Sequence, residues 1–486
     1  MKDIVNMSLK QLSVSLQRRE ISSVEATRAY LQRIEETDRD IGAFITLCEE
    51  DALIQARAAD ELLAKGEAPP LAGVPFAVKD NICTKGVLTT CASKMLSDFI
   101  PPYDATVMKK LKNQSAVMLG KLNMDEFAMG ATNETSAFLP VRNPLDKSLV
   151  PGGSSGGSGA AVAAGQAAFT LGTDTGGSIR QPAAYCGITG LKPTYGGVSR
   201  NGLIALASSF DQIGPMAKTA EDCAMVMNAI AEKDPMDATS RGYEFADFAA
   251  SIDSGVKGQR IALPEELLGR EIDSEIKNAV LKAAKTYEKM GAAVDTVSMP
   301  ELKYALQAYF VISSAEAASN LARFDSIRFG RRSENCENLE QIYKKSRSEG
   351  FGQEVQRRIM LGNHFLSSGY YDVYFKKAQD LRALITRKLE ELLDSFDIIL
   401  SPVTPAPTHA LGEKIEPVQS YMSDFCTVPA SLAGLPALSM PCGSTKKGIP
   451  IGMQLVGRAF SEKTLFKAAR AFEEQSETRL KGENHG

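Results

Sequence analysis

Hydrophobic and polar positions change their spacing several times along this chain, and each change marks a different kind of element. The opening runs on a helical period. Ser8 with Gln11 and Ser22 with Glu25 have the spacing of capping boxes, so each predicts a helix start. In the second of these helices Tyr30, Leu31 and Ile34 share one apolar face with Val24 and Thr27. Arg28, Arg33, Glu35 and Glu36 fall mostly on the wet side. A third helix is expected over residues 50–65, closed by Gly66 and the Pro69, Pro70 pair.

From Leu71 the texture becomes short apolar runs between turns: GVPFAVKDN, SAVMLGKLN and AAFTLGTD. Helical segments are expected between them at 106–113 and 160–168. Strand and helix in alternation predict an α/β sheet. Residues 204–215 continue it, a helix over 219–230 follows, and 260–264 and 293–297 read as further strands. Residues 302–393 differ: they read as long charged helices. Strand texture then returns in FDIILSPV, ALSMPCG and IGMQLVG. Strand material therefore brackets the helical stretch. This predicts one domain over 1–486, with N-terminal helices (1–66), an inserted helical region (302–393) and a polar tail (475–486).

One stretch fits no simple period. Between Pro151 and Gly190 lie two glycine-flanked serine clusters, GGSSGGSG (152–159) and TGGS (175–178). Glycine costs backbone entropy and is kept where the chain turns tightly or approaches something closely. Such clusters suggest backbone N–H groups facing a ligand. A flexible Gly/Ser linker would not alternate with so apolar a flank.

Composition narrows the partners. The 486 residues are 44% hydrophobic and 23% charged, enough apolar material for a large core. A net charge of −4 argues against an unaided grip on nucleic acid, so any RNA would be held by another subunit. The eight cysteines are scattered without a CxxC pair, which disfavours a disulfide framework or a zinc site. The opening MKDIVNMSLKQL has neither the apolar core nor the cleavage site of a signal peptide. A soluble, cytoplasmic protein with no membrane partner is expected.

Three histidines, His364, His409 and His485, all lie far in sequence from the glycine–serine clusters. A serine nucleophile there needs another base, and lysine is a known alternative. Lys79 closes the apolar run Val74 to Val78, where a buried strand end would strip its hydration and lower its pKa. Ser178 follows Thr175, Gly176 and Gly177 and precedes a helix start, where free N–H groups can bind an oxyanion. Cys186 has no histidine nearby and reads as a packed thiol. A phosphate-binding loop is disfavoured, because Ser158 and Gly159 stand where Lys and Ser/Thr are required.

The segments GVPFAVKDN, PGGSSGGSGAAVAAG and GTDTGGSIRQPAAYCGITGLKPTYG resemble the amidase signature family. The resemblance implies an α/β fold with a large mixed central sheet covered by helices on both faces. It also implies a Ser–cis-Ser–Lys triad. Lys79 would be the general base, Ser154 the bridging serine in a cis peptide and Ser178 the nucleophile. The backbone around Thr175, Gly176 and Gly177 would form the oxyanion hole.

Further passages, FAMGATNETSAF, SSAEAASNLARFDSIRFGRR, GFGQEVQRRIMLG and DFCTVPASLAGLPALSMPCG, are similar to the tRNA-dependent amidotransferase branch of that family. The implied activity is hydrolysis of glutamine, with ammonia passed to a partner. Subunits B and C would complete a heterotrimer that converts Glu-tRNA(Gln) to Gln-tRNA(Gln). ATP and Mg would belong to the partner subunit, which also carries most of the tRNA contact, and no cofactor or metal is implied in this chain. The segment 130–136 departs from the family's serine-rich pattern.

Glutamine presents an α-carboxylate and an α-ammonium, so its pocket needs a cation and an anion. Arginine grips a carboxylate bidentately. On a helix with the apolar stripe Phe351, Val355, Ile359, Arg358 falls beside the stripe and Arg357 nearly opposite. The resemblance favours Arg358 too. It offers Asp424 for the ammonium, Tyr309 as a pocket wall, and Met129 and Gly130 as substrate contacts. Two other readings are a stand-alone amidase of the same fold and a catalytically inactive scaffold.

Overall fold

Both expected capping boxes form. Ser8 Oγ accepts the Gln11 N–H at 3.1 Å while the Ser8 N–H donates to Gln11 Oε1 at 2.9 Å, and Ser22 and Glu25 repeat the exchange. The helix that follows, α1 (Ser23–Ile41), buries Tyr30, Leu31 and Ile34 as its period requires. The structure is a computed structural model and describes residues 2–243, 247–250 and 252–475. The tail at 476–486, with His485, lies outside the described residues.

Among the described residues eleven strands form one mixed sheet. They are β1 (Phe44–Leu47), β2 (Pro75–Lys79), β3 (Val117–Leu122), β4 (Phe169–Asp174), β5 (Thr189–Lys192), β6 (Gln212–Ala217), β7 (Arg260–Pro264), β8 (Ala293–Val297), β9 (Ile398–Pro402), β10 (Ala437–Ser444) and β11 (Pro450–Val456). Their order is β1-β3-β2-β4-β6-β5-β10-β11-β9-β7-β8, with helices on both faces. The parallel pairs lie toward the two ends of the sheet: β3-β2-β4 at one, β9-β7-β8 at the other. The antiparallel run between them takes strands from both sides of the long helical stretch. Strands β2, β3 and β4 are buried along their whole length, including the polar residues Lys79, Lys121, Thr170 and Asp174.

Some sequence expectations need correction. The helix expected over 160–168 is α2 (Gly156–Ala163), one turn earlier. Its first turn uses the glycines for closeness: a Cβ on Gly157 would collide with the Asn123 carbonyl. Gly165, at φ +70°, then ends the run before Ala167. Residues 204–211 are not strand. The Asp211 carboxylate takes the N–H groups of Leu206 (2.8 Å) and Ala207 (3.1 Å), and a side chain that binds local backbone competes with ladder pairing. Strands β1 and β5 gave no sequence signal, because four residues are too few for alternation to show. Cys186 is the last residue of α3 (Arg180–Cys186).

The stretch at 302–393 carries several helices, but residues 322–338 within it are irregular. Its α4 (Ala305–Leu321) packs against α5 (Gln353–Leu366), α6 (Lys377–Leu393) and the short Val428–Leu432 helix. No helix among the described residues is long and apolar enough to cross a membrane. All eight cysteines are free thiols.

Candidate active site

Lys79 ends β2 between β3 and β4 with 0% of its surface exposed. Its Nζ donates to Ser154 Oγ at 2.8 Å, to Ser155 Oγ at 2.9 Å and to the Thr173 carbonyl at 3.4 Å. Burial pulls its pKa down from the ordinary 10.5 to about 7, against the opposing pull of Asp125, Asp174 and Asp211. A neutral amine is therefore available near neutral pH.

The two serines at Lys79 are not equivalent. Ser155 Oγ donates to the Thr173 carbonyl at 3.0 Å and accepts the Thr173 N–H at 3.2 Å, so its proton is committed. Ser154 Oγ has Lys79 as its only hydrogen-bond partner among the described residues and keeps its proton free to move. The Gly153–Ser154 peptide is cis. Ser178 joins this cluster through its backbone, its carbonyl accepting the Ser155 N–H at 3.1 Å. The Ser178 hydroxyl makes no hydrogen bond among the described residues. Contact between Ser154 and Ser178 is thus the one link of a relay that this structure does not form. Such catalytic bonds often tighten only when substrate binds.

The TGGS turn is held rigid from below. Thr175 Oγ1 donates to Asp211 at 2.7 Å. Asp174 receives Arg180 through Nε (3.0 Å) and Nη2 (2.9 Å), a fork with both partners fully buried. Burial pushes the Asp174 carboxyl up, but the Arg180 guanidinium outweighs it and holds the group below the usual carboxylate range. Arg180 also donates to the Thr427 carbonyl (2.8 Å) and to Ser431 (2.9 Å), fastening the turn to the segment that carries Asp424. The N–H groups of Gly176 and Gly177 find no acceptor among the described residues, as an oxyanion hole requires. Both glycines are pressed by the predicted pocket: a Cβ on Gly176 would lie 2.6 Å from the Tyr309 ring. One on Gly177 would lie 2.5 Å from Thr427 Oγ1 and 3.2 Å from Asp424 Oδ1.

Helix α5 turns Arg358 inward, with 10% of its side chain exposed against 40% for Arg357. The Arg358 Nε donates to Glu354 at 2.7 Å, and its guanidinium lies over the rings of Phe310 (4.5 Å) and Tyr421 (4.8 Å). Tyr421 also donates to Glu354 at 2.9 Å. Burial raises the Asp424 carboxyl to about 7, and the Arg358 charge opposes that rise. Tyr309 is buried and packs on Phe210 at 5.5 Å. Met129 and Gly130 are held by their own loop: the Met129 N–H donates to the Glu126 carbonyl at 2.9 Å, and a Cβ on Gly130 would collide with Asp125. Cys186 packs among Val162, Ile179 and Met216, with its thiol pushed well up by burial.

Sequence reasoning missed Asp174, Arg180, Ser155 and Glu354. For the first two a signal existed. They are the sole charged residues between Pro151 and Gly190, and opposite charges in so apolar a run imply a buried pair.

A buried lysine, paired serine clusters and free N–H groups at one turn are the parts that serine–lysine hydrolysis of an amide requires. The chain belongs to the amidase family, whose model matches residues 25–466. Among curated proteins it is 52% identical to the A subunit of the glutamyl-tRNA(Gln) amidotransferase of Moorella thermoacetica, with 98% of each chain covered. It is 50% identical to the protein of the same description from Geobacter sp. (strain M21), with 99% of each covered. Among solved structures it resembles the corresponding glutamyl-tRNA(Gln) amidotransferase protein of Thermotoga maritima: TM-score 0.82, 41% identity, covering 98% of this chain and 96% of that one. The peptide amidase of Stenotrophomonas maltophilia has the same TM-score at 32% identity, covering 96% of each.

Proposed function

We propose that this chain is the glutaminase subunit of a glutamyl-tRNA(Gln) amidotransferase. The curated relatives support this reading over nearly their whole length. The observation that carries the chemistry is Lys79: buried, without a carboxylate partner among the described residues, and hydrogen-bonded to Ser154. The pocket beside it adds a cation and an anion, Arg358 and Asp424, for the two charged ends of a free amino acid.

Glutamine binds with its α-carboxylate on Arg358 and its α-ammonium on Asp424. Neutral Lys79 takes the Ser154 proton as Ser154 takes that of Ser178, and Ser178 Oγ attacks the side-chain amide carbon. The N–H groups of the 175–177 turn stabilise the resulting oxyanion. The relay returns its proton to the leaving nitrogen, the C–N bond breaks and ammonia departs, leaving a γ-glutamyl ester on Ser178. Water, deprotonated by the same relay, cleaves the ester to glutamate and free Ser178. No step here draws on a cofactor. ATP and Mg serve the partner subunit, which activates the γ-carboxylate of Glu-tRNA(Gln) in a heterotrimer with subunits B and C. A reaction on aminoacyl-tRNA supports a cytoplasmic location for this complex.

The test is a glutaminase assay on the co-purified complex, with and without ATP and Glu-tRNA(Gln), beside its Ser178→Ala variant. Ammonia release that rises with the tRNA substrate and falls at least about 10³-fold in the variant is expected. Equal turnover of bulky amides by the chain alone would point instead to a stand-alone amidase. Undiminished hydrolysis by Ser178→Ala would remove the site as drawn.

A further inference from the structure

Glu126 is a buried carboxylate that the chemistry above does not use. Glu126 accepts a hydrogen bond from the Ser93 hydroxyl through Oε1 and the Gly352 N–H through Oε2 at 2.8 Å. Ser93 also lies 3.2 Å from the Gly350 carbonyl. Three segments distant in sequence meet at this carboxylate, and the third of them is the start of α5.

Helix α5 carries Arg358, and it begins without a cap of its own. Its N-cap residue is Gly352, which has no side chain to offer. In a capping box the residue three positions on would reach back to the N-cap N–H, but that position is Val355. Glu126 supplies the missing acceptor from elsewhere in the fold, and burial raises its carboxyl to about 7. The seat is tight, since a Cβ on Gly352 would collide with Glu126 Oε2.

The other side of Glu126 leads to the triad. The N–H of its neighbour Asp125 donates to the Ser154 carbonyl at 3.2 Å. The Asp125 carboxylate binds the N–H of Asn133 (2.9 Å) and the hydroxyl of Thr135 (2.9 Å), and Asn133 in turn accepts the Gly157 N–H at 3.1 Å. Phe127 fills the gap toward α5 by packing on Phe324 (5.1 Å) and Phe351 (5.6 Å).

We infer that Glu126 is a positioning residue that fixes the first turn of α5, and with it Arg358, against the Lys79–Ser154 cluster. The inference rests on the glutaminase reading, in which Arg358 receives the substrate carboxylate. It assigns Glu126 to substrate positioning and not to proton transfer, so KM for glutamine should respond while kcat does not.

The experiment uses the intact heterotrimer with Glu126→Ala, Glu126→Gln, Gly352→Ala and the Glu126→Ala/Gly352→Ala pair. Glu126→Ala should raise KM for glutamine about tenfold and leave kcat within about twofold. Glu126→Gln should recover most of that loss, because Oε1 can still accept the Gly352 N–H while its amide donates to Ser93. Gly352→Ala should match Glu126→Ala, and the pair should be no worse than the poorer single variant, because truncating Glu126 makes room for the added methyl. Hydrogen exchange supplies a readout independent of turnover. Amides 352–356 should exchange faster in Glu126→Ala but not in Glu126→Gln, with 154–158 unchanged. An unaltered KM, a fall confined to kcat, or unaltered exchange at 352–356 would overturn the inference. A wild-type complex that fails to hydrolyse glutamine would overturn the glutaminase reading instead, and the exchange data would then decide the role of Glu126 alone.

Discussion

Lys79 and Lys121 stand on neighbouring parallel strands, and both have 0% of their surface exposed. Their surroundings separate them. Lys121 lies 3.4 Å from the Asp80 carboxylate and donates to the Ile82 carbonyl (2.8 Å) and to Thr89 (2.7 Å). Lys79 has two hydroxyls and a carbonyl, and no carboxylate within ion-pair distance among the described residues. A third buried lysine completes the comparison. Burial lowers Lys192 to about 7 as well, yet the one hydrogen bond of its amine among the described residues goes to the Pro193 carbonyl at 2.9 Å. Burial makes an amine neutral, but it becomes a base only where a hydroxyl proton lies within reach.

The sharpest way to break this comparison is to replace each lysine by methionine. Lys79→Met should lower kcat for amide hydrolysis at least about 10³-fold without unfolding the protein, by ammonia release and circular dichroism. Lys121→Met should do the reverse. It strands Asp80 as an unpaired buried carboxyl and should cost about 3–5 kcal/mol in urea denaturation, with kcat of the folded protein within about threefold.

The pH dependence sharpens the picture next. The Lys79 base works when deprotonated, so kcat should rise with pH through about 7. The Asp424 carboxyl, also raised to about 7, ionises over the same range, so KM for glutamine should fall as pH rises. Asp424→Asn should erase the KM limb and raise KM about tenfold, and it should leave the kcat limb in place. One limb disappearing with the other, in a stopped-assay pH series, would contradict the separate roles.

The smallest effect belongs to Lys192→Met: activity within about twofold and a gain of about 1 kcal/mol at pH 7. The sign follows from linkage. The unfolded lysine stays protonated up to about 10.5 while the folded one loses its proton near 7. Between those values the unfolded state binds more protons, so this lysine makes stability rise with pH. Methionine should flatten that slope in unfolding curves measured from pH 7 to pH 10.

Much of the site's chemistry was legible before any fold was known. The run from Val74 to Val78 ending in Lys79, and the two serine clusters, carry their signal in a few consecutive residues. The helix period placed Arg358 inward because a helix's faces follow from spacing alone. Choosing between Ser154 and Ser155 was not possible from residue type: the structure separates them by the Thr173 backbone that occupies Ser155. Strands β1 and β5 exist only through their pairing partners. Glu126 was invisible because its partner, Gly352, is a backbone N–H 226 residues away.

The sequence alone therefore determined which groups are present, where helices start, and which short runs become buried strands, since these depend on neighbours a few residues apart. The tertiary structure decided how far Lys79 is removed from water, which hydroxyls meet it, and where Arg358 and Asp424 lie relative to it. Solvent exclusion and charge proximity set a pKa, and both come from segments that only the completed fold brings together.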